Sequence, residues 1–192
     1  MRTITVEEHF ATPKFLEGPG HDSVTRAKEA KPGDMAWMLV ERLTDLGEGR
    51  IAEMDAAGID VQILSLTAPG VEGLGPDETE AVVREANDYL LCAVQKTPKR
   101  FAGFAALPTA VPDKAAQELE RKVCQHGFKG AVINGHNRGR YLDHEFYWPL
   151  LEAAEALQVP LLIHPTAPPK QVIDAYYSGF APAVSKASTV PA

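Results

Sequence analysis

The length, composition and charge of the chain limit the classes of protein to which it can belong. With 192 residues, 45% of them hydrophobic, it can bury the core of one globular domain but is short for two. The 26 acidic residues outnumber the 19 basic ones and no basic block is present, so we expect no nucleic-acid partner.

The two cysteines and the lack of long apolar runs bear on the compartment. Cys92 and Cys124 fall in stretches with the pattern of amphipathic helices, so we predict small buried thiols rather than a disulfide or a metal pair. No apolar run approaches the roughly 18 residues that a membrane span needs, and no apolar signal segment follows Met1. We therefore expect a cytoplasmic protein that makes no contact with membranes.

Strand and helix patterns alternate along the chain. Ile4 and Val6 alternate with threonines in TITVEEHF, which predicts a strand, and a Pro- and Gly-containing segment from about Ala11 to Gly33 is predicted to be irregular. The amphipathic stretch after it is predicted to stop as a helix at Gly58. The predicted order continues with strand VQILSL, helix DETEAVVREANDYLLCAVQKTP capped at Asp77, strand RFAGFAALP, helix DKAAQELERKVCQHG, strand FKGAVING, helix HEFYWPLLEAAEALQ and strand VPLLIHP.

This alternation predicts parallel strands joined by helical crossovers, and two architectures satisfy it. An open doubly wound sheet of five strands suits the length, whereas an eight-fold (β/α) barrel usually needs about 250 residues. However, no glycine-rich phosphate loop follows the first strand, as the commonest nucleotide-binding open sheets would require. Its absence favours the barrel.

Polar side chains gather where the predicted strands end, namely Glu7 and His9, Ser65 and Thr67, Asn134 and His136, and His164. In parallel α/β folds the carboxyl ends of the strands form the functional edge. Glu7 and His9 are two residues apart, so in a strand they point to the same side, whereas Glu8 points to the other. A lone strand-end histidine such as His164 is more often a hydrogen-bonded core residue, but one carboxylate and two imidazoles together suit a catalytic metal ion.

Five segments carry a resemblance to a known family: VEEHFATP, RIAEMDAAGIDVQILSL, RFAGFAALP, GFKGAVING and VPLLIHP. They resemble the amidohydrolase-2 family, the branch of the metal-dependent amidohydrolases that contains the aminocarboxymuconate-semialdehyde, γ-resorcylate and 5-carboxyvanillate decarboxylases. The resemblance extends to about Val184. The Glu-x-His opening is more similar to the aromatic-acid decarboxylases than to members that open with His-x-His.

The resemblance implies a distorted (β/α)₈ barrel around one divalent metal ion, zinc or manganese. It implies Glu7, His9 and His164 as metal ligands and makes His164 the candidate catalytic residue. In the family, an aspartate that ends the eighth strand is a further ligand and moves a proton, and a histidine after the sixth strand lies near the substrate. Neither residue can be placed in this chain.

The implied activity is that of a carboxy-lyase acting on a hydroxylated aromatic acid or a related small-molecule carboxylate. The candidate substrate contacts are Phe10, Thr67 and Asn134, with Phe15 as a further possible wall for an aromatic ring. Two alternatives stay open. One is a metal-dependent hydrolase of an ester, lactone or amide, and the other is a non-catalytic truncated fragment that associates with itself.

The number of predicted units is lower than a full barrel requires. We expect a single domain over residues 1–192, incomplete at its carboxyl end, with about five βα units and a disordered tail over about 185–192. A partial barrel leaves a parallel strand edge unpaired and apolar surface uncovered. We therefore expect a homo-oligomer.

Overall fold

The computed structural model describes residues 1–180, and the tail predicted for about 185–192 lies outside this part. The five predicted strands are present in the predicted order. They are β1 Ile4–Phe10, β2 Val61–Leu66, β3 Phe101–Gly103, β4 Ala131–Asn134 and β5 Leu161–His164. The helices are α1 Pro13–Glu17, α2 His21–Glu29, α3 Met35–Thr44, α4 Glu48–Ala57, α5 Pro76–Lys96, α6 Pro112–Glu120, α7 Trp148–Leu157 and α8 Lys170–Tyr177. A π-helical turn, Arg121–Gln125, continues α6, and a 3-10 turn, Glu145–Tyr147, precedes α7.

The strands follow one another in space in chain order. β1, β2 and β3 form one parallel sheet and β4 and β5 form another. A parallel bridge between Ala105 and Ala131 joins the two sheets just beyond β3. Ala105 is bonded on both sides of this bridge, since its N–H donates to Gly130 O and its carbonyl accepts from Val132 N–H. The strands therefore form one continuous wall from β1 to β5.

This wall is strongly curved. In a flat sheet, four strand spacings of about 4.8 Å would separate β1 from β5 by about 19 Å, with side chains standing perpendicular to the sheet. The ring centroids of His9 on β1 and His164 on β5 are instead 4.8 Å apart. The two strands must therefore face each other across an interior, as strands on opposite sides of a barrel do.

The helices cover the outside of this wall and supply much of the core. In α5 the buried apolar side chains are spaced three and four residues apart, and this stripe packs against β3. The stripe consists of Val83, Ala86, Leu90 and Ala93. The helix before β2 ends at Gly58 as predicted, because this glycine takes a left-handed conformation (φ 69°) that closes the last turn.

The segment predicted to be irregular, Ala11 to Gly33, instead contains α1 and α2. The Thr12 hydroxyl caps α1 by accepting a hydrogen bond from Phe15 N–H, and Pro13 occupies the first turn. The prolines and glycines in this segment led to the prediction of irregular structure, although two short helices form between them. The start of α5 also differs from its prediction, since Gly75 rather than Asp77 occupies the N-cap position.

The predicted burial of the cysteines is wrong. Cys92 and Cys124 are both exposed free thiols, on outward positions of α5 and of the π-helical turn. Within residues 1–180, no helix combines the length and the apolar character that crossing a membrane requires.

Candidate metal centre

Three side chains with metal-ligating atoms converge at the carboxyl ends of β1 and β5. One donor atom from each of Glu7, His9 and His164 lies within 4.8 Å of the other two. Donor atoms that bind one ion tetrahedrally at about 2.1 Å lie about 3.4 Å apart. The three donors, within 4.8 Å of one another, therefore need to approach by no more than about 1.4 Å to share an ion. The convergence predicted from the strand-end positions is present.

The three residues differ in how much solvent they meet. Glu7 is exposed, His9 is half-buried and His164 is 6% exposed. The Nδ1 atom of His164 is buried and has no hydrogen-bond partner in the described structure. Buried polar atoms are nearly always paired, so an unpaired ring nitrogen on a residue of this cluster fits a site that takes a cation. The exposed Glu7 leaves this site open to solvent on one side.

The electrostatic surroundings favour the neutral form of His9. Burial lowers the pKa of His9, and the neighbouring His164 acts in the same direction, whereas the Glu7 carboxylate opposes them. A histidine must be neutral at the nitrogen that binds a metal. The fold therefore holds His9 in the form that ligation requires.

His9 is fixed by contacts from two other elements. Its Nδ1 lies 3.1 Å from the Ser65 hydroxyl on β2. Its carbonyl oxygen accepts a hydrogen bond of 2.8 Å from Arg50 Nη2 on α4. The ring and the backbone of this ligand are thus held separately.

Arg50 connects the ligand-bearing strand to the chain around it. Besides His9, it donates to the carbonyl oxygens of Arg42 and Asp45 and to the side-chain oxygen of Gln62. Sequence reasoning missed this residue, because an arginine on an amphipathic helix is usually a solvated charge. No sequence signal distinguishes it, since its acceptors are mostly backbone carbonyls.

Replacing Arg50 with lysine is expected to destabilise the fold by about 2 kcal/mol. A lysine keeps the charge, but its single ammonium group cannot reach four separated acceptors, so several hydrogen bonds worth roughly 0.5–1.5 kcal/mol each are lost. Urea denaturation measures this loss. The matched control is Arg42→Lys, because within residues 1–180 the polar contact of the Arg42 side chain is an exposed ion pair with Glu53, and its replacement should change stability by less than about 0.5 kcal/mol. Equal stability of the two variants would contradict this role for Arg50.

The predicted substrate contacts occupy three different environments. Phe10 is 1% exposed and stacks on Tyr89, with ring centroids 6.4 Å apart, so the structure places it in the core rather than on the wall of a pocket. Phe15 is also fully buried. Thr67 is half-buried in the turn after β2. Asn134 is 2% exposed and pairs in register with His164 across β4 and β5. Contact of any of these residues with a substrate stays a prediction.

A buried glutamate that the sequence did not single out holds the loop after β2 against β4. Glu72 is 3% exposed, and its carboxylate accepts from Val71 N–H at 2.9 Å and from Asn134 N–H at 3.0 Å. In β4, the N–H of Val132 donates to the carbonyl oxygen of Ala105, just beyond β3. Two residues further along β4, the N–H of Asn134 donates to the Glu72 carboxylate instead of to a neighbouring strand. Burial raises the pKa of Glu72 to about 7, although these N–H groups favour the charged form.

The chain is similar to known proteins over most of its length. A family model described as Amidohydrolase matches residues 9–192. A γ-resorcylate decarboxylase of a Polaromonas species is 42% identical over 174 residues, which are 86% of this chain and 50% of that protein. A γ-resorcylate decarboxylase of Rhodococcus jostii is 39% identical over 179 residues, which are 88% of this chain and 52% of the relative. The chain thus spans about half the length of the curated relatives it matches.

Two solved structures have the same fold as this chain over most of its length. One is a 5-carboxyvanillate decarboxylase from Novosphingobium aromaticivorans complexed with manganese and 4-hydroxy-3-methoxy-5-nitrobenzoic acid. It has a TM-score of 0.82 and 39% identity over 91% of this chain and 53% of its own. The other is a dihydroxybenzoic acid decarboxylase from Polaromonas with manganese and the inhibitor 2-nitroresorcinol. Its TM-score is 0.77 with 39% identity, over 95% of this chain and 56% of its own.

These similarities confirm the predicted fold class. The five parallel strands form a partial barrel that corresponds to about half of the relatives, rather than a complete open sheet. Because the family match extends over far more than half of its length, the chain belongs to the amidohydrolase family.

Proposed function

We propose that Glu7, His9 and His164 hold one divalent metal ion, manganese or zinc. The observation that carries the proposal is the convergence of their donor atoms within 4.8 Å at the carboxyl ends of two strands. Imidazole and carboxylate ligands suit both metals. The unpartnered Nδ1 of His164 supports the same assignment, because a cation would satisfy it. Manganese is present in structures of two relatives, the 5-carboxyvanillate and dihydroxybenzoic acid decarboxylases.

The charge balance of this centre favours an anionic substrate. One carboxylate and two neutral imidazoles leave a divalent ion with a net charge of about +1. Three protein ligands also leave coordination positions open. A small-molecule carboxylate would neutralise the charge and fill an open position, which is the partner class that we propose.

The proposed reaction is the decarboxylation of a hydroxylated aromatic acid. The reaction breaks the bond between the ring carbon and the carboxylate, releases carbon dioxide and places a proton on that ring carbon. When bound, the metal supplies Lewis-acid binding of the carboxylate and of an adjacent hydroxyl. Glu7, His9 and His164 fix the position of that binding, and Thr67 and Asn134 are the candidate substrate contacts at neighbouring strand ends. The relatives support this class, since they are decarboxylases of such acids by name.

The proton donor is a separate requirement. Within residues 1–180, the ligand cluster contains no carboxyl other than that of Glu7. Glu7, His9 and His164 are all needed as metal ligands in this proposal, so none of them is free to supply the proton. His164 is the candidate catalytic residue through its part in holding the metal, and the proton comes from a group outside this cluster.

Two measurements test the proposed function. Isothermal titration of the metal-free chain with Mn²⁺ and with Zn²⁺ is expected to show one site per chain. In a protein that supplies the proton donor together with these ligands, assays with Mn²⁺ on 2,6-dihydroxybenzoate and 5-carboxyvanillate are expected to release carbon dioxide, whereas phenyl esters and lactones should be inert. Hydrolysis without decarboxylation would favour the hydrolase alternative. Absence of both activities together with absence of metal binding would favour the non-catalytic fragment.

Self-association is expected, because two strands have an open edge. Within residues 1–180, β1 pairs only with β2, and β5 pairs only with β4. Ile4, Val6 and Ile163 on these strands are 48–60% exposed. Exposed apolar strand edges attract a second chain.

Light scattering coupled to size exclusion is expected to show a dimer or a larger species. The double variant Val6→Lys, Ile163→Lys should shift the chain towards the monomer, since charges on edge strands oppose pairing. Gln95→Lys, on the exposed side of α5, is the control and should leave the mass unchanged. A monodisperse wild-type monomer would show that these edges need no partner.

A further inference from the structure

We propose that the Ser65 hydroxyl fixes the tautomer of His9, so that Nδ1 carries the hydrogen and Nε2 is the nitrogen presented to the metal. This inference rests on the proposed metal centre but concerns a residue outside the ligand set. It makes Ser65 a positioning residue that acts through His9.

Ser65 and His9 are direct neighbours in the sheet. They are paired in register across β2 and β1, so their side chains stand on the same side of the wall. Ser65 is completely buried, which excludes water as a competing partner for its hydroxyl. Its Oγ lies 3.1 Å from His9 Nδ1 and 3.4 Å from the carbonyl oxygen of Glu8.

The single hydroxyl hydrogen decides how these contacts are arranged. The Glu8 carbonyl oxygen can only accept, so both contacts are hydrogen bonds only when the hydroxyl hydrogen is directed towards Glu8. The hydroxyl oxygen then has lone pairs free for a hydrogen on His9 Nδ1. In a neutral imidazole this leaves Nε2 without a hydrogen.

The reverse arrangement conflicts with both neighbours. If the hydroxyl donated to His9 Nδ1, the Glu8 carbonyl oxygen would lose this donor. The neutral ring would then carry its hydrogen on Nε2, and an N–H cannot ligate a metal. Since Ser65 occupies Nδ1, Nε2 is the ring nitrogen left to join Glu7 and His164. The hydrogen bond to Ser65 therefore holds His9 in the tautomer that can bind the metal, even in the metal-free chain.

Ser65 and Arg50 contact different parts of His9. Arg50 holds the carbonyl oxygen of His9 and thereby the strand, whereas Ser65 contacts the ring alone. Loss of the Ser65 hydroxyl should consequently change the tautomer and the metal affinity while the strand stays in place. Removing such a supporting partner of a metal ligand typically weakens metal binding by 10–100-fold.

The test reads the tautomer directly in the metal-free chain. Long-range ¹H–¹⁵N NMR spectra of ¹⁵N-histidine-labelled protein at pH 8 distinguish hydrogen on Nδ1 from hydrogen on Nε2, and His9→Gln assigns the signal. We expect Nδ1–H in the wild type and in Ser65→Thr, which keeps a hydroxyl. We expect a population of Nε2–H in Ser65→Ala. An Nε2–H signal in the wild type, or an unchanged tautomer in Ser65→Ala, would overturn the proposal.

Metal titration supplies the second readout. The Mn²⁺ dissociation constant of Ser65→Ala is expected to rise by about 10–100-fold over the wild type. The control is Thr5→Val on β1, because the Thr5 hydroxyl is buried and has no hydrogen-bond partner in the described structure. Equal affinities of Ser65→Ala and wild type would count against the role of Ser65. A wild type that binds no metal would refute the metal centre, while the NMR spectra would still decide the tautomer.

Discussion

Substitution of His164 by alanine is expected to abolish Mn²⁺ binding, with the dissociation constant raised by at least about 100-fold. Of the three ligand residues, His164 alone comes from β5, so its loss leaves two donors from one strand and removes the enclosure of the ion. Its Nδ1 is buried and has no hydrogen-bond partner in the described structure. Isothermal titration measures the loss.

The same substitution should leave the metal-free fold almost unchanged. No hydrogen bond to Nδ1 is broken, and only the edge contact with the His9 ring and some packing are lost. We therefore expect urea denaturation of the metal-free variant to differ from wild type by about 1 kcal/mol, much less than a well-packed core deletion costs. His126→Ala, at the half-buried C-cap of the π-helical turn, is the control for both measurements and should bind metal normally. Normal Mn²⁺ affinity in His164→Ala would refute the metal centre.

The part of the site that could be predicted from the sequence is the part set by local periodicity. The two-residue spacing places Glu7 and His9 on one side of β1 whatever the overall fold. That His164 meets them depends on the curvature of five strands, a long-range property that the strand patterns do not contain. The strand patterns by themselves are therefore compatible with both an open sheet and a barrel, and only the missing glycine-rich loop after β1 favours the barrel.

The surroundings of Phe10 and Glu72 depend on tertiary packing. The pleat that points His9 inward turns the next residue, Phe10, towards the helices, where it stacks on Tyr89, and its contact with a substrate stays a prediction. Glu72 lies in a loop rich in glycine, where a carboxylate is normally solvated. Glu72 is buried because β4 packs against this loop, and the sequence near Glu72 contains no pattern that predicts this contact.

Glu72 is also expected to make the stability of the fold depend on pH. Burial raises the pKa of this carboxyl from 4.5 to about 7 in the folded chain. Between these values the folded state keeps the proton that the unfolded state releases, so stability falls as the pH rises. At 1.36 kcal/mol per pH unit, the full effect is about 3 kcal/mol. The stabilisation is complete below about pH 4.5 and is lost above about pH 7.

Glu72→Gln isolates this effect, because glutamine cannot titrate. The variant should be the less stable protein at acidic pH, since its amide offers one acceptor oxygen where the carboxyl offers two to Val71 and Asn134. As the pH rises, only the wild type is weakened by a buried charge. The difference in the free energy of unfolding between wild type and Glu72→Gln should therefore decrease by about 3 kcal/mol between pH 4.5 and 7.5.

The measurement is urea denaturation of both proteins across this pH range, with a chelator present so that metal linkage at the histidines is removed. Other groups that titrate in the same window, including His9, are common to both proteins and cancel in the difference. Glu78→Gln, at an exposed position in the first turn of α5, serves as the control and should run parallel to the wild type. Parallel curves for Glu72→Gln and wild type would mean that Glu72 does not retain its proton in the folded chain, and that its two N–H donors offset the cost of burial.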